Sequence, residues 1–319
     1  MKQIRVSVVV LTRNRPQYLR TCLESIKKQD YPEQSFEVIV VDNNSSEENA
    51  VLNKEIVSRN GFARYICESK IGVSFARNTG VKLARYEYVA FIADDYELSV
   101  DYLASVNSLF QKNKHINVLC FNIVSDDKKS IQKVNQYYYE TKRLLAIKEE
   151  QSITKKIFSA KQISFDDKPH KVPHYPVSGA AVIKKTVFDK AGLFDETFFL
   201  CEDVDFGIRL NKKGICAYYS SAVKIKQKNE ANLFLSLKRQ FVYGKFYVVL
   251  KNRWSDYSRI VPRSTFGYIF FLLLSPFISL WRCSLSRNLM KFLFYFLFIL
   301  LFDITFFLGA IFQSCRGKL

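Results

Sequence analysis

Tyr88-Val-Ala-Phe-Ile-Ala-Asp-Asp-Tyr-Glu-Leu98 is an apolar run that stops abruptly at two adjacent carboxylates, Asp94 and Asp95. Residues 88–93 have the uninterrupted apolar character of a strand buried on both faces, the pattern of a parallel sheet covered by helices. Ligands of such sheets collect beyond the carboxyl ends of the strands. Two acids placed there are suited to a hard divalent cation; the plainer reading is a solvated turn.

Upstream, Ile4–Leu11 reads as another buried strand, followed by the turn Thr12-Arg-Asn-Arg-Pro16. Pro16 is well placed at the first position of a helix whose Tyr18, Leu19, Cys22, Leu23 and Ile26 share one face. Phe36–Val41 reads as a second strand ending at the polar loop Asp42-Asn-Asn-Ser-Ser46, and Arg64–Cys67 as a short third one. In Gly72-Val-Ser-Phe-Ala-Arg-Asn-Thr-Gly80, Ser74 is placed to cap a helix that runs to about Ala84 and presents Arg77. An amphipathic helix from about Val100 to Gln111 follows the acid pair. Strands alternating with helical patterns imply parallel βαβ units and an α/β sandwich, so that Asp42 and Asp95 face one crevice.

Residues 125–176 break this rhythm with Lys, Asp, Tyr and Gln, and carry His170 and His174 among Pro169, Pro173 and Pro176. They read as an irregular insertion, a lid or acceptor-facing segment. Order resumes with a strand at Ser178–Ile183 and a helix over about Lys185–Ala191. Leu193-Phe-Asp-Glu-Thr-Phe-Phe-Leu-Cys-Glu-Asp-Val-Asp-Phe-Gly-Ile-Arg-Leu210 then leads Glu202, Asp203 and Asp205 into a helix. Acids at a helix start also complement its dipole, which is the alternative use of this second cluster.

Over 319 residues, a hydrophobic share of 48% excludes a disordered chain, and a formal charge of +18 calls for an anionic partner. The seven cysteines have no zinc spacing and read as reduced thiols in a cytosolic setting. The amino terminus runs straight into a strand pattern and lacks the features of a secretory signal. The carboxyl end is different: Phe266–Trp281 and Leu289–Phe312 are dominated by Phe, Leu and Ile, the second being long enough to span a bilayer.

Between Lys224 and Arg263 ten basic residues face only Glu230 and Asp256, which reads as a patch for anionic lipid and accounts for the charge better than nucleic acid does. Tyr243-Gly-Lys-Phe-Tyr247 falls in this segment and reads as part of an amphipathic, interfacial helix. Two topologies fit the tail: a hairpin with both ends cytoplasmic, or a re-entrant first stretch, short and holding Pro276, followed by one crossing. The hairpin puts Arg282 and Arg287 on the far side, against the positive-inside tendency. Asp303, costly in lipid, calls for a partner or for packing on the first stretch.

Five ordered blocks, VSVVVLTRNR, VIVVDNNS, GVSFARNTG, FIADD and GLFDETFFLCEDVDFGIRL, together resemble the family-2 glycosyltransferases of bacterial, membrane-associated type. The resemblance covers roughly residues 4–225 and implies a GT-A fold: α/β, Rossmann-like, a mainly parallel sheet flanked by helices, here with a C-terminal membrane-associated helical tail. It implies that Thr12 and Asp42 bind the nucleotide base, although Asp42 could equally end its strand in an Asx turn. By the same resemblance Arg77 lies near the nucleotide, Asp95 is the ligand of Mg2+ or Mn2+, and Asp94 is a ribose or metal-supporting group. The usual Asp-x-Asp form is shortened, because Ala93 stands at the first acid. Asp203 is the implied general base, with Glu202 beside it and Asp205 as a further candidate, and Gly179 lies on the acceptor side. The family's His after the next strand is replaced by Lys226, Gln227 or Lys228.

The expected domains are a catalytic one at 1–225 including the 125–176 insertion, a basic segment at 226–263, and membrane segments at 264–319. The expected activity is inverting transfer of a sugar from a nucleotide-diphosphate donor, with UDP as the expected nucleotide, to a glycan or lipid-linked acceptor at the cytoplasmic face of the cell membrane, with no nucleic acid partner. A nucleotidyltransferase and a non-catalytic membrane scaffold are the rival readings.

Overall fold

The computed structural model describes residues 3–125, 133, 134, 138, 168–172, 180–228, 232–254, 264–284 and 289–316. The chain divides into two compact units, Met1–Asp126 with Ser164–Asn229, and Asp127–Ile163 with Glu230–Leu319.

In the first unit the strands are β1 (Val6–Thr12), β2 (Phe36–Asp42), β3 (Ala63–Cys67), β4 (Tyr88–Ala93), β5 (Tyr96–Leu98), β6 (Val118–Ser125), β7 (His170–Val172), β8 (Ala180–Lys184) and β9 (Ala217–Gln227). They form one sheet in the order β3-β2-β1-β4-β8-β6-β9-β5, with β7 paired to β9. The first four strands are parallel, as the unbroken apolar runs require. Beyond β4 the sheet is mixed: β8 is antiparallel to both β4 and β6, and β6 is parallel to β9.

Helices cover both faces. On one, Leu19, Cys22, Leu23 and Ile26 of α1 (Pro16–Lys27) are fully buried against Val6, Val8 and Val10 of β1. After α2 (Glu47–Asn60), the opposite layer takes α3 (Val73–Leu83) and, beyond α4 (Tyr102–Lys112), α5 (Thr186–Ala191) and α6 (Glu202–Lys212). Gly80 lets α3 lie directly on β1, because any Cβ there would collide with Val9. Ser74 does not cap α3: Gly72 takes that position, and the Ser74 hydroxyl donates to the Phe198 carbonyl instead, at 3.3 Å.

Register decides where functional side chains gather. Thr12 lies opposite Asp42 and Leu11 opposite Ala93, and the Asp94 amide donates to the Leu11 carbonyl at 3.1 Å. The ends of β1, β2 and β4 therefore make one edge, where a parallel sheet places its ligand crevice.

The second unit holds α7 (Leu233–Arg253), α8 (Thr265–Ser284) and α9 (Leu289–Arg316). Glycines set the α7–α9 approach: a Cβ on Gly244 would strike the Phe306 carbonyl, and one on Gly309 the Phe241 carbonyl. That is the small-residue packing of closely apposed helices. Segments Thr265–Cys283 and Tyr295–Arg316 are each long and apolar enough to cross a membrane. Phe266, Phe270, Leu273, Phe277 and Leu280 of α8 are exposed at helical spacing, as are Leu293, Leu297, Leu301, Leu308 and Phe312 of α9.

Asp303, expected to need a partner, has several. It is buried, forms an ion pair with Arg282 of α8, and accepts from Ser279 at 3.0 Å and from Tyr138 at 3.1 Å. The helix of the first apolar stretch thus supplies the countercharge, Arg282 being half of an ion pair. The basic run is more divided than its sequence implies. Lys226 lies on β9 opposite Glu97, Lys228 pairs with Glu97 at 2.6 Å, and Lys251 is buried, while Arg259 and Arg263 lie outside the described residues.

Candidate active site

Asp94 and Asp95 leave the end of β4 almost wholly buried, at 1% and 4% exposure. The Thr12 hydroxyl donates to Asp94 Oδ2 at 2.7 Å, so the end of β1 holds the first acid. Burial pushes the Asp94 carboxyl up to about 6 against the opposing pull of Arg15 and Thr12, and the Asp95 charge adds to the rise. Gln227 Nε2 donates to Asp95 Oδ2 at 2.9 Å, and the Lys228 amide donates to the Asp95 carbonyl at 2.7 Å. Of the three residues offered for the missing His, the structure brings Gln227 to the acid pair. The antiparallel pairing of β5 with β9 does this by setting Gln227 opposite Tyr96.

Sequence reasoning missed Arg15. Its guanidinium reaches Asp94 Oδ1 at 2.5 Å and Asp95 Oδ2 at 3.6 Å. The available signal was its place, one residue before Pro16 in the turn that leaves β1 at the ligand edge.

Glu202 and Asp203 open α6. Arg77 of α3 pairs with Glu202 at 2.6 Å, both side chains being 6% exposed, and the guanidinium lies over the Phe194 ring at 5.0 Å and the Phe91 ring of β4 at 6.0 Å. Asn78, one residue further along α3, donates to the Phe194 carbonyl at 2.9 Å and accepts from the Phe194 amide at 2.9 Å. The segment leading into α6 is thus clamped to α3. Arg77 is taken up by Glu202 of the acid pair. Asp203 is partly exposed, and its Oδ1 accepts from the Val204 amide at 2.8 Å. Burial and then the Glu202 charge push its carboxyl well above the ordinary range, while Arg77 opposes the rise. A carboxylate so tuned accepts a proton more readily near neutral pH than an exposed one does. Asp205 is drawn away to Arg209 at 2.8 Å.

Asp42 stands at the same edge but is fully buried. It accepts from the Ser45 amide, three residues on, at 2.9 Å, the Asn53 amide group at 2.8 Å and the Tyr65 hydroxyl at 2.8 Å, and so holds the loop after β2. His170 lies in β7 opposite Tyr219. Gly179 and His174 fall outside the described residues.

Among the described residues no group of three or more His, Cys, Asp or Glu converges. Among the described residues, the edge offers a metal the carboxylates of Asp94 and Asp95. That donor set fits Mg2+ or Mn2+ sharing its shell with substrate phosphates, and does not fit a metal caged wholly by protein.

A parallel-to-mixed sheet with carboxylates at its ligand edge and a second acid pair at the start of a helix is the architecture of α/β proteins that bind ligands beyond the carboxyl ends of their strands. The model of "Glycosyl transferase family 2" matches residues 7–190, and the chain belongs to that family. Glycosyltransferase GlyA of Streptococcus pneumoniae serotype 4 is 33% identical over 108 residues, 34% of this chain, and the match spans 15% of that protein's length. A Methanococcus voltae enzyme, "Dolichyl N-acetyl-alpha-D-glucosaminyl phosphate 3-beta-D-2,3-diacetamido-2,3-dideoxy-beta-D-glucuronosyltransferase", is 22% identical over 84% of this chain and 80% of its own. Among solved structures, Staphylococcus aureus TarS 1–349 superposes with a TM-score of 0.53 at 15% identity, covering 99% of this chain and 92% of that one. GalNAc-T7 with UDP, GalNAc and Mn2+ superposes with a TM-score of 0.52 at 16% identity, covering 72% of this chain and 44% of that one. These likenesses fix the GT-A-like fold.

Proposed function

We propose that this family-2 glycosyltransferase is an inverting enzyme that uses a nucleotide-diphosphate sugar, UDP-linked, with Mg2+ or Mn2+, and glycosylates a lipid-linked or polysaccharide acceptor at the cytoplasmic face of the cell membrane. The observation that carries the reading is Asp203, held at the start of α6 with its proton affinity raised while Arg77 neutralises Glu202. The acceptor oxygen bonds to the anomeric carbon, its proton goes to Asp203, and the bond from that carbon to the diphosphate breaks to release a nucleoside diphosphate. Asp95, with Asp94 beside it, would hold the metal, which would supply charge neutralisation for the departing diphosphate.

The donor's nucleotide end belongs at the edge made by Thr12 and Asp42, with Asp42 acting through the loop it holds. Arg77 acts on the site by holding Glu202, and Gly179 is assigned to the acceptor side. Support for donor and metal comes from the neighbour solved with UDP and Mn2+, and for a lipid-linked acceptor from the dolichyl phosphate substrate in the name of the Methanococcus voltae relative. The exposed apolar stripes of α8 and α9 suit lipid, and Lys238 and Arg239, exposed one turn after Phe234 and Leu235, suit an anionic leaflet.

The test is a panel of nucleotide sugars with the purified protein and Mn2+, read by thermal stabilisation. A UDP-sugar is expected to raise Tm in the wild type and not in Asp95→Asn. Absence of stabilisation by every nucleotide overturns the reading.

A further inference from the structure

We propose that Arg15 is a built-in countercation of the acid pair, competing with the divalent metal for Asp94 and Asp95 so that the metal enters together with the nucleotide. The inference rests on the metal-dependent donor reading above and adds a residue that controls it. Two adjacent buried carboxylates repel one another, and removing them from water is costly unless a cation is present. In this chain a cation is present: Arg15 contacts both acids, at 2.5 Å and 3.6 Å.

Its position is fixed by the backbone around it. Asn14 adopts a left-handed conformation at φ 56°. The Asn14 amide donates to the Ser45 hydroxyl at 2.8 Å, and its side-chain oxygen accepts from the Ser46 amide at 2.7 Å. Pro16 then starts α1, so the turn is anchored on both sides of Arg15. The loop held by Asp42 is the one that anchors this turn, since Asp42 accepts from the Ser45 amide at 2.9 Å.

The side chain itself can move. Arg15 is 41% exposed on its side chain where Asp94 is 0%, so the guanidinium can withdraw into water while the acids cannot. The side chains that meet the acid pair here are the neutral Thr12 and Gln227 and the charged Arg15, so a metal finds two carboxylates and one resident positive charge. Its binding then depends on phosphate oxygens brought by the donor. Once displaced, the guanidinium remains at the ligand edge, with the bidentate geometry that suits a diphosphate.

Mn2+ binding to the full-length protein, followed by loss of the free-ion electron paramagnetic resonance signal, tests this without turnover. Wild type is expected to bind Mn2+ weakly alone and much more tightly with UDP. Arg15→Met, which keeps length and removes charge, is expected to bind Mn2+ alone on the order of tenfold or more tightly, with a smaller gain from UDP. Arg15→Lys should behave like wild type, and Asp95→Asn should lose Mn2+ in either background. Unchanged or weaker Mn2+ binding by Arg15→Met, while wild type still takes up Mn2+ with UDP, overturns the role of Arg15 alone. No Mn2+ uptake by any variant, with or without UDP, overturns the donor reading as well.

Discussion

Replacing Asp203 by Asn keeps the shape at the start of α6 and the bond from the Val204 amide but removes the carboxylate proposed as proton acceptor. Transfer should fall by about 10²–10⁴ in kcat with donor affinity unchanged, as measured by steady-state kinetics and nucleotide titration. In the wild type, activity should decline on acidification at a pH above the ordinary carboxylate range, because burial and the Glu202 charge raise the Asp203 carboxyl. Arg77→Met leaves Glu202 uncompensated, so it should move that decline to still higher pH and cost about 3–5 kcal/mol of stability. Asp94 has the opposite relation to stability from an ordinary ion-paired acid. Its carboxyl is raised from 3.8 to about 6, so its contribution is fully present below the unfolded value and is lost as pH rises through that window. Asp94→Asn should therefore raise Tm at pH 8, by about 1–3 kcal/mol in stability, and show little gain at pH 4, while weakening the donor site.

The element scale explains why some of this was legible in the sequence. β1, β2 and β4 are buried on both faces, so their apolar runs announce them, and acids or a Thr at their ends mark the ligand edge directly. The insertion of β8 between β4 and β6 was not legible, because strand order depends on pairing between distant segments and leaves no local period. Gln227 became a site residue only through the β5–β9 register, and β5 has three residues, too few to show a pattern. Arg15 has the composition of any solvated turn; the anchoring of that turn on the β2–α2 loop is what directs it to the acids. Arg77 and Glu202 were each legible as site candidates, while their pairing needed α3 and α6 to be apposed. Gly80→Val forces α3 off β1 and should destabilise the fold by at least about 1–3 kcal/mol while lowering activity, since Arg77 rides on that helix.

At the scale of the whole molecule, one unit carries the carboxylate chemistry and the other the apolar helices. Asp303 and Arg282 bind α9 to α8 by an ion pair within otherwise apolar helices. Arg282→Ala leaves the buried Asp303 without its countercharge and should cost about 3–5 kcal/mol in detergent thermal melts, whereas Arg282→Leu with Asp303→Leu should recover most of it. The two results together separate a paired charge from a merely tolerated one. Phosphorus NMR of the nucleotide product in a turnover reaction reports whether the bond at the sugar is the one cleaved, with Asp203 as the proposed base. The expected result is nucleoside diphosphate from the wild type and none from Asp203→Asn that still binds donor; release of pyrophosphate or nucleoside monophosphate, or an Asp203→Asn rate equal to wild type, would contradict it.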